Sequence, residues 1–111
     1  MVKNLILYGQ SGFMSCYTKN LAEFMKGLED SAVVLMEDGV NGVVKPIGAE
    51  MTEGHLPYHE LIQMNIPIYC IHEDVESRGG NLDNLVSGIK SMTYSDLIDK
   101  IDEADRVISW L

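Results

Sequence analysis

The chain is poor in basic residues, cysteine and proline. Eight Lys and Arg stand against seventeen Asp and Glu, giving a net charge of −9 at pH 7. The eight are scattered and form no patch, which argues against direct nucleic-acid binding, because phosphate neutralisation needs clustered cations. Two cysteines are too few for a disulfide scaffold, so each is expected as a free thiol in a reducing compartment. No apolar run approaches the ~18–20 residues of a membrane span. Met1-Val2-Lys3 leads into a strand-like segment without a leader-type apolar stretch, and the cytoplasm is the expected location. The sequence has neither a Walker Gly-Lys-Ser/Thr nor the six-residue glycine fingerprint of dinucleotide sites, and no tight zinc spacing. Neither cofactor nor metal is expected. No repeat or linker interrupts the 111 residues, so residues 1–111 are read as one domain.

What the chain does have is alternation of short apolar runs with helical periodicity. Strands are predicted at Asn4-Leu5-Ile6-Leu7-Tyr8, Ala32-Val33-Val34-Leu35-Met36, Ile66–Ile71, Gly88–Met92 and Arg106–Leu111, each bounded by turn residues. Tyr17, Leu21, Phe24, Met25 and Leu28 recur at the spacing of a helix packed on one face. Pro57 suits the first position of a helix over Tyr58–Met64. A capped helix opens at Thr93-Tyr94-Ser95-Asp96, with Leu97, Ile98, Ile101 and Ala104 as its apolar side. Val40–Val44 reads as a helical turn or two ended by Pro46, and 47–55 as loop. The order implies a doubly wound α/β domain: five strands in a mostly parallel sheet, with helices on both faces.

Function in such sheets gathers at the carboxyl ends of the strands. Cys16 is the preferred nucleophile there. With Ser15 as N-cap, it falls in the first turn of the first helix, where unpaired amides and the macrodipole favour an anion. Its neighbours at i+4 and i+7, Asn20 and Glu23, keep it on the polar side. Amides from Gly12 to Ser15 are the expected stabilisers of the thiolate, and the alternative role for Cys16 is a small apolar filler beside Phe13 and Met14. Cys70 is the lesser candidate, since a cysteine inside an apolar strand is usually inert packing. Gly9-Gln10-Ser11-Gly12 could cradle a phosphate at a helix start. Glu73, Asp74 and Glu76 fit a solvated acidic helix start better than paired catalytic carboxylates. His55, His59, Cys70 and His72 are the available metal ligands, without metal-site spacing.

The segments Glu37-Asp38-Gly39-Val40, Ile68-Tyr69 leading to Glu73-Asp74 and Arg78-Gly79, Thr93–Asp99, and the terminal Val107–Leu111 occur in one order. In this the chain resembles the DsrE/DsrF/DsrH superfamily, and within it the DsrH/TusB-like branch, over roughly 60% of its length. The resemblance implies a five-stranded α/β fold and membership of a sulfur relay, where a cysteine accepts sulfane sulfur as a persulfide and passes it on. It implies a sulfur-carrier or sulfurtransferase subunit in a hetero-oligomer with DsrE- and DsrF-like chains or other relay proteins. Its contexts are tRNA wobble-uridine thiolation and sulfur oxidation. In the DsrE branch the active cysteine ends the third strand, a position that Ile71 occupies here, one past Cys70. In DsrH-like chains that keep a cysteine, it lies in the first helix, the region of Cys16. Two other classes stay open: a non-catalytic structural subunit with both cysteines as packing residues, and a module binding a small ligand or nucleotide in the strand-end clefts.

Overall fold

The computed structural model describes residues 2–13, 15–45 and 56–111. Strands β1 (Asn4–Tyr8), β2 (Ser31–Leu35), β3 (Ile68–Ile71), β4 (Ile89–Met92) and β5 (Arg106–Trp110) form one sheet in the order β4-β3-β2-β1-β5. All four pairings are parallel. The helices are α1 (Ser15–Lys26), α2 (His59–Gln63), α3 (His72–Ser77) and α4 (Tyr94–Glu103). From β1 to β4 the chain steps one strand at a time in one direction. It then returns across the whole sheet to lay β5 beside β1. Right-handed crossovers must put helices of opposite-going connections on opposite faces, so α4 lies across the sheet from α1 and α2.

Side-chain alternation along each strand sorts the core accordingly. Ile6, Tyr8, Val33, Leu35, Ile68 and Cys70 pack with Leu21, Ala22 and Met25 of α1 and Leu61 of α2. Leu5, Ala32, Val34, Ile71 and Met92 face the other way, onto Leu97 of α4. Thr93 caps α4 through a reciprocal pair: its Oγ1 accepts from the Asp96 amide at 3.1 Å, and its own amide donates to Asp96 at 3.2 Å. The sequence predicted this cap.

Four local expectations are corrected. The buried stripe of α1 is Leu21, Ala22 and Met25, while Tyr17 and Phe24 are exposed. At 100° per residue these two aromatics sit on the flank of the stripe, so the sheet cannot cover them. In α4 only Leu97 is buried, and Ile98, one residue further round, is 61% exposed. The helix expected from Tyr58 starts at His59, because Tyr58 takes a left-handed conformation (φ +65°). That turn aims its ring into the core, where its hydroxyl donates to the Gly39 carbonyl at 2.6 Å. In place of a helical turn over Val40–Val44, a 3₁₀ turn covers Glu37–Val40, and Val44 bridges antiparallel to Leu85. Pro46, residues 47–55 and the candidate ligand His55 lie outside the described residues.

Candidate functional site

The strand order reverses between β1 and β5, and such a reversal opens a crevice at the carboxyl ends of the strands. The loop from Gly9 into α1 sits there against the end of β5. The Gly9 amide donates to the Trp110 carbonyl at 2.9 Å, and Gln10 Nε2 donates to the Leu111 carbonyl at 2.7 Å. Cys16 lies in the first turn of α1 and is exposed, as are Asn20 and Glu23 on the same side. Around this end of the helix Phe13 (66% exposed), Tyr17 (41%) and Leu111 (50%) leave apolar surface in water. Phe24, also exposed, meets Trp110 at right angles, with 5.6 Å between ring centroids.

Gly12 does not serve the anion as the sequence suggested. Its amide donates to the Asn41 carbonyl at 3.0 Å, and the Phe13 amide donates to Ser11 Oγ at 3.3 Å. Gly12 is glycine for another reason: a Cβ would stand 2.4 Å from the Asn41 oxygen and 2.7 Å from the Tyr58 ring. The Gly9 and Gly12 amides are both engaged by protein carbonyls, so neither is free to hold a phosphate. An anion at Cys16 would stand at the N-terminal end of α1, where the helix macrodipole favours negative charge. Ser15 is the first residue of that helix, and its side chain lies outside the described set.

Cys70 is buried within β3, on the α1 side of the sheet, opposite Tyr69 and Ile71. Burial pushes its thiol up to about 11, only partly countered by a backbone hydrogen bond. A neutral, enclosed thiol is a packing group.

The residues that carry the family resemblance form a belt across the carboxyl ends of β2, β3 and β4. One oxygen of Asp74 accepts from both the Glu37 amide and the Tyr94 hydroxyl, each at 2.7 Å. Glu73 accepts from the Tyr94 amide at 3.2 Å. Arg78 pairs with Asp38 at 3.1 Å. Glu73 and Asp74 therefore stand in the first turn of α3 and tie the 3₁₀ turn to the start of α4. His72 pairs with Glu76, and no three potential metal ligands group together among the described residues.

Sequence reasoning missed the tyrosines. Tyr8 was legible only as the end of an apolar run. It is fully buried, with its ring edge-on to Tyr58 (6.3 Å) and to Trp110 (5.6 Å). Burial, then charge on Cys16 and Tyr17, pushes its phenol up to about 12. Tyr94 is raised to about 12 by burial first and then by its bond to Asp74, and burial raises Tyr58 further. A raised phenol pKa means that the folded state holds the proton more tightly than the unfolded one. The stability contributed is complete below the ordinary value of about 10 and is lost as pH climbs towards 12. Alkaline titration followed by circular dichroism should show unfolding in that window, together with tyrosinate absorbance. Ionisation of all five tyrosines near pH 10 with the structure intact would contradict it.

A family model described as DsrH like protein matches residues 14–107. A sequence search of curated proteins gives no significant match. Among solved structures, the YchN protein of E. coli is similar in fold, with a TM-score of 0.73 and 20% identity, covering 99% of this chain and 100% of that one. A protein of unknown function from Methanobacterium thermoautotrophicum is similar at a TM-score of 0.61 and 14% identity, covering 94% and 98% respectively. No helix among the described residues is long and apolar enough to cross a membrane.

Proposed function

Since this chain belongs to the DsrH-like family, we propose that it is a subunit of a cytoplasmic sulfur relay in which Cys16 carries the sulfur. The observation that supports this is that, of the chain's two thiols, Cys16 is the exposed one and stands in the first turn of α1, while Cys70 is enclosed. In the step proposed, the Cys16 thiolate attacks the outer sulfur of a donor persulfide. A new S–S bond forms at Cys16, the donor's S–S bond breaks, and the donor leaves as a thiolate. One sulfane sulfur moves and nothing is oxidised overall. Donor and acceptor are proteins in this reading, because a chain of net charge −9 repels RNA. DsrE- and DsrF-like subunits are the proposed partners.

A second reading makes the chain a brace for a partner that holds the active cysteine. The exposure of the large apolar side chains Phe13, Tyr17, Phe24 and Leu111 supports it, since exposed apolar surface can serve as an interaction site. The two readings separate in one experiment: treat the native protein with glutathione persulfide and locate added sulfur by mass spectrometry. Loading at Cys16 is expected. If neither thiol takes sulfur or an alkylating reagent until the protein is unfolded, the chain is a brace.

A further inference from the structure

Among the described residues, α4 is alone on its face of the sheet. Leu21 of α1, Leu61 of α2 and Val75 of α3 all pack on the other face, and here Leu97 of α4 meets Leu5, Val34 and Met92. Five strands about 4.8 Å apart span about 19 Å, whereas one helix is about 10 Å across. The face therefore has room for a second helix beside α4. The flanks of α4 show on which side that room lies. Asp96, Lys100 and Glu103 line a groove with Tyr69, Lys90 and Met92 of β3 and β4, and Lys100 Nζ sits 4.8 Å over the Tyr69 ring. Ile101 and Ile98 lie round from Leu97 in the opposite sense, by about 40° and about 100°, and so face β1 and β5. Both are exposed. Val107 of β5 is in register with Leu5, and Ser109 with Leu7, which puts them on the α4 face. These two are exposed as well, whereas Ile6 and Tyr8, on the other face of β1, are fully buried.

We infer that the β1–β5 half of this face docks a helix of a partner protein, one whose apolar ridge is flanked by Lys or Arg. The surface lies across the sheet from α1, and the inference holds whether Cys16 carries sulfur or the chain is a brace. The charge of the occupant follows from the rim. Asp102 lies one turn beyond Ile98 on the same flank, and Asp105 follows α4 in the turn to β5. Both are exposed, and neither has an ion-pair partner among the described residues. Arg106, the next residue, turns to the other face, where its Nε donates to Asn4 at 3.0 Å. Cations on the partner complement such a rim. A second copy of this chain would instead bring the same aspartates and a further net charge of −9. The occupant is a helix because the bare strip is about one helix wide. Ile98 and Ile101, three residues apart on α4, give its ridge a flank to pack against.

Two synthetic amphipathic helices test this, with the same leucine ridge flanked by lysines in one and by glutamates in the other. Each would be titrated into the isotope-labelled full chain at low and high salt, and binding read from amide chemical shifts. The lysine-flanked peptide should bind roughly threefold to tenfold more tightly than its twin, and the difference should shrink as salt screens the rim. Its shifts should centre on Ile98, Ile101, Val107 and Ser109. Ile98→Glu should weaken binding by roughly tenfold or more, with the melting temperature unchanged because the side chain is exposed. Asp102→Lys should reduce the preference for lysine while the protein stays folded. Shifts gathered at Phe13 and Tyr17, equal affinity for the two peptides, or no binding of either would overturn the inference. So would self-association of the free protein that Ile98→Glu abolishes in sedimentation equilibrium, since the occupant would then be a second copy.

Discussion

Replacing Cys16 with serine is expected to abolish sulfur loading, while Cys70→Ser leaves loading intact and costs stability. Serine can neither hold a sulfane sulfur nor attack as a thiolate, so the first variant removes the chemistry and leaves an exposed position whose fold is unaffected. The second variant acts on a different link of the chain of cause. Cys70 pairs across β3 with Leu35 of β2 and Ser91 of β4, and is completely buried. With its thiol at about 11, only about one molecule in a thousand would be ionised there at pH 8, and no donor can approach. Serine at that site sets a hydroxyl in an apolar cluster, at a cost of about 1–3 kcal/mol. The same raised thiol gives a pH sign. Its stabilising share is present below its ordinary value of 9.0 and disappears as pH rises to about 11. Mass spectrometry of both variants after persulfide treatment, with thermal melts alongside, decides the matter. Added sulfur on Cys16→Ser at the wild-type level would end the carrier role proposed for Cys16.

The two thiols were legible in the sequence because each depends on a local rule. Cys16 follows from the start of a helix, and Cys70 from alternation along a strand. The five strands were legible for the same reason: a continuous apolar run bounded by turn residues reads as a buried parallel strand without knowledge of its neighbours. What was hidden is non-local. Tyr58 adopts a left-handed conformation because its hydroxyl finds Gly39, nineteen positions away, and no helix-start rule contains that information. The partnership of Asp74 with Tyr94 spans twenty positions, so Glu73-Asp74 could be recognised as a family signature without its task being visible. Tyr17 and Phe24 were assigned to the core because periodicity fixes a stripe's direction only to within about one residue's 100° step. Their exposure, with that of Phe13, leaves on the surface aromatic side chains that the periodicity assigned to packing.

Gly39→Ala should be among the most damaging single substitutions in this fold, although it adds only one methyl group. Gly39 lies in the 3₁₀ turn that follows β2, and a Cβ there would stand 2.4 Å from the Tyr8 carbonyl oxygen and 3.2 Å from its carbon. Neither side can give way. The Tyr8 oxygen is fixed by the Met36 amide at 3.0 Å, and the turn is fixed by the Gly39 amide on the Met36 carbonyl at 2.8 Å. The Gly39 carbonyl in turn holds Tyr58, whose ring lies where a side chain on Gly12 would go. Relief of the clash must therefore move the end of β1, the Tyr58 ring and the loop that leads into α1 together. Overpacking of this kind costs roughly 2–3 kcal/mol, a fall of about 10 °C in melting temperature for a domain of this size. Gly27→Ala is the matched control. Its Cβ would meet only the Phe24 carbonyl, at 3.8 Å, and its effect should stay within about 0.5 kcal/mol. Equal melting temperatures for the two variants would show that the Glu-Asp-Gly turn tolerates separation from β1. A Gly39→Ala protein that remains folded should also load sulfur more slowly, because the turn sets the position of the loop leading into α1.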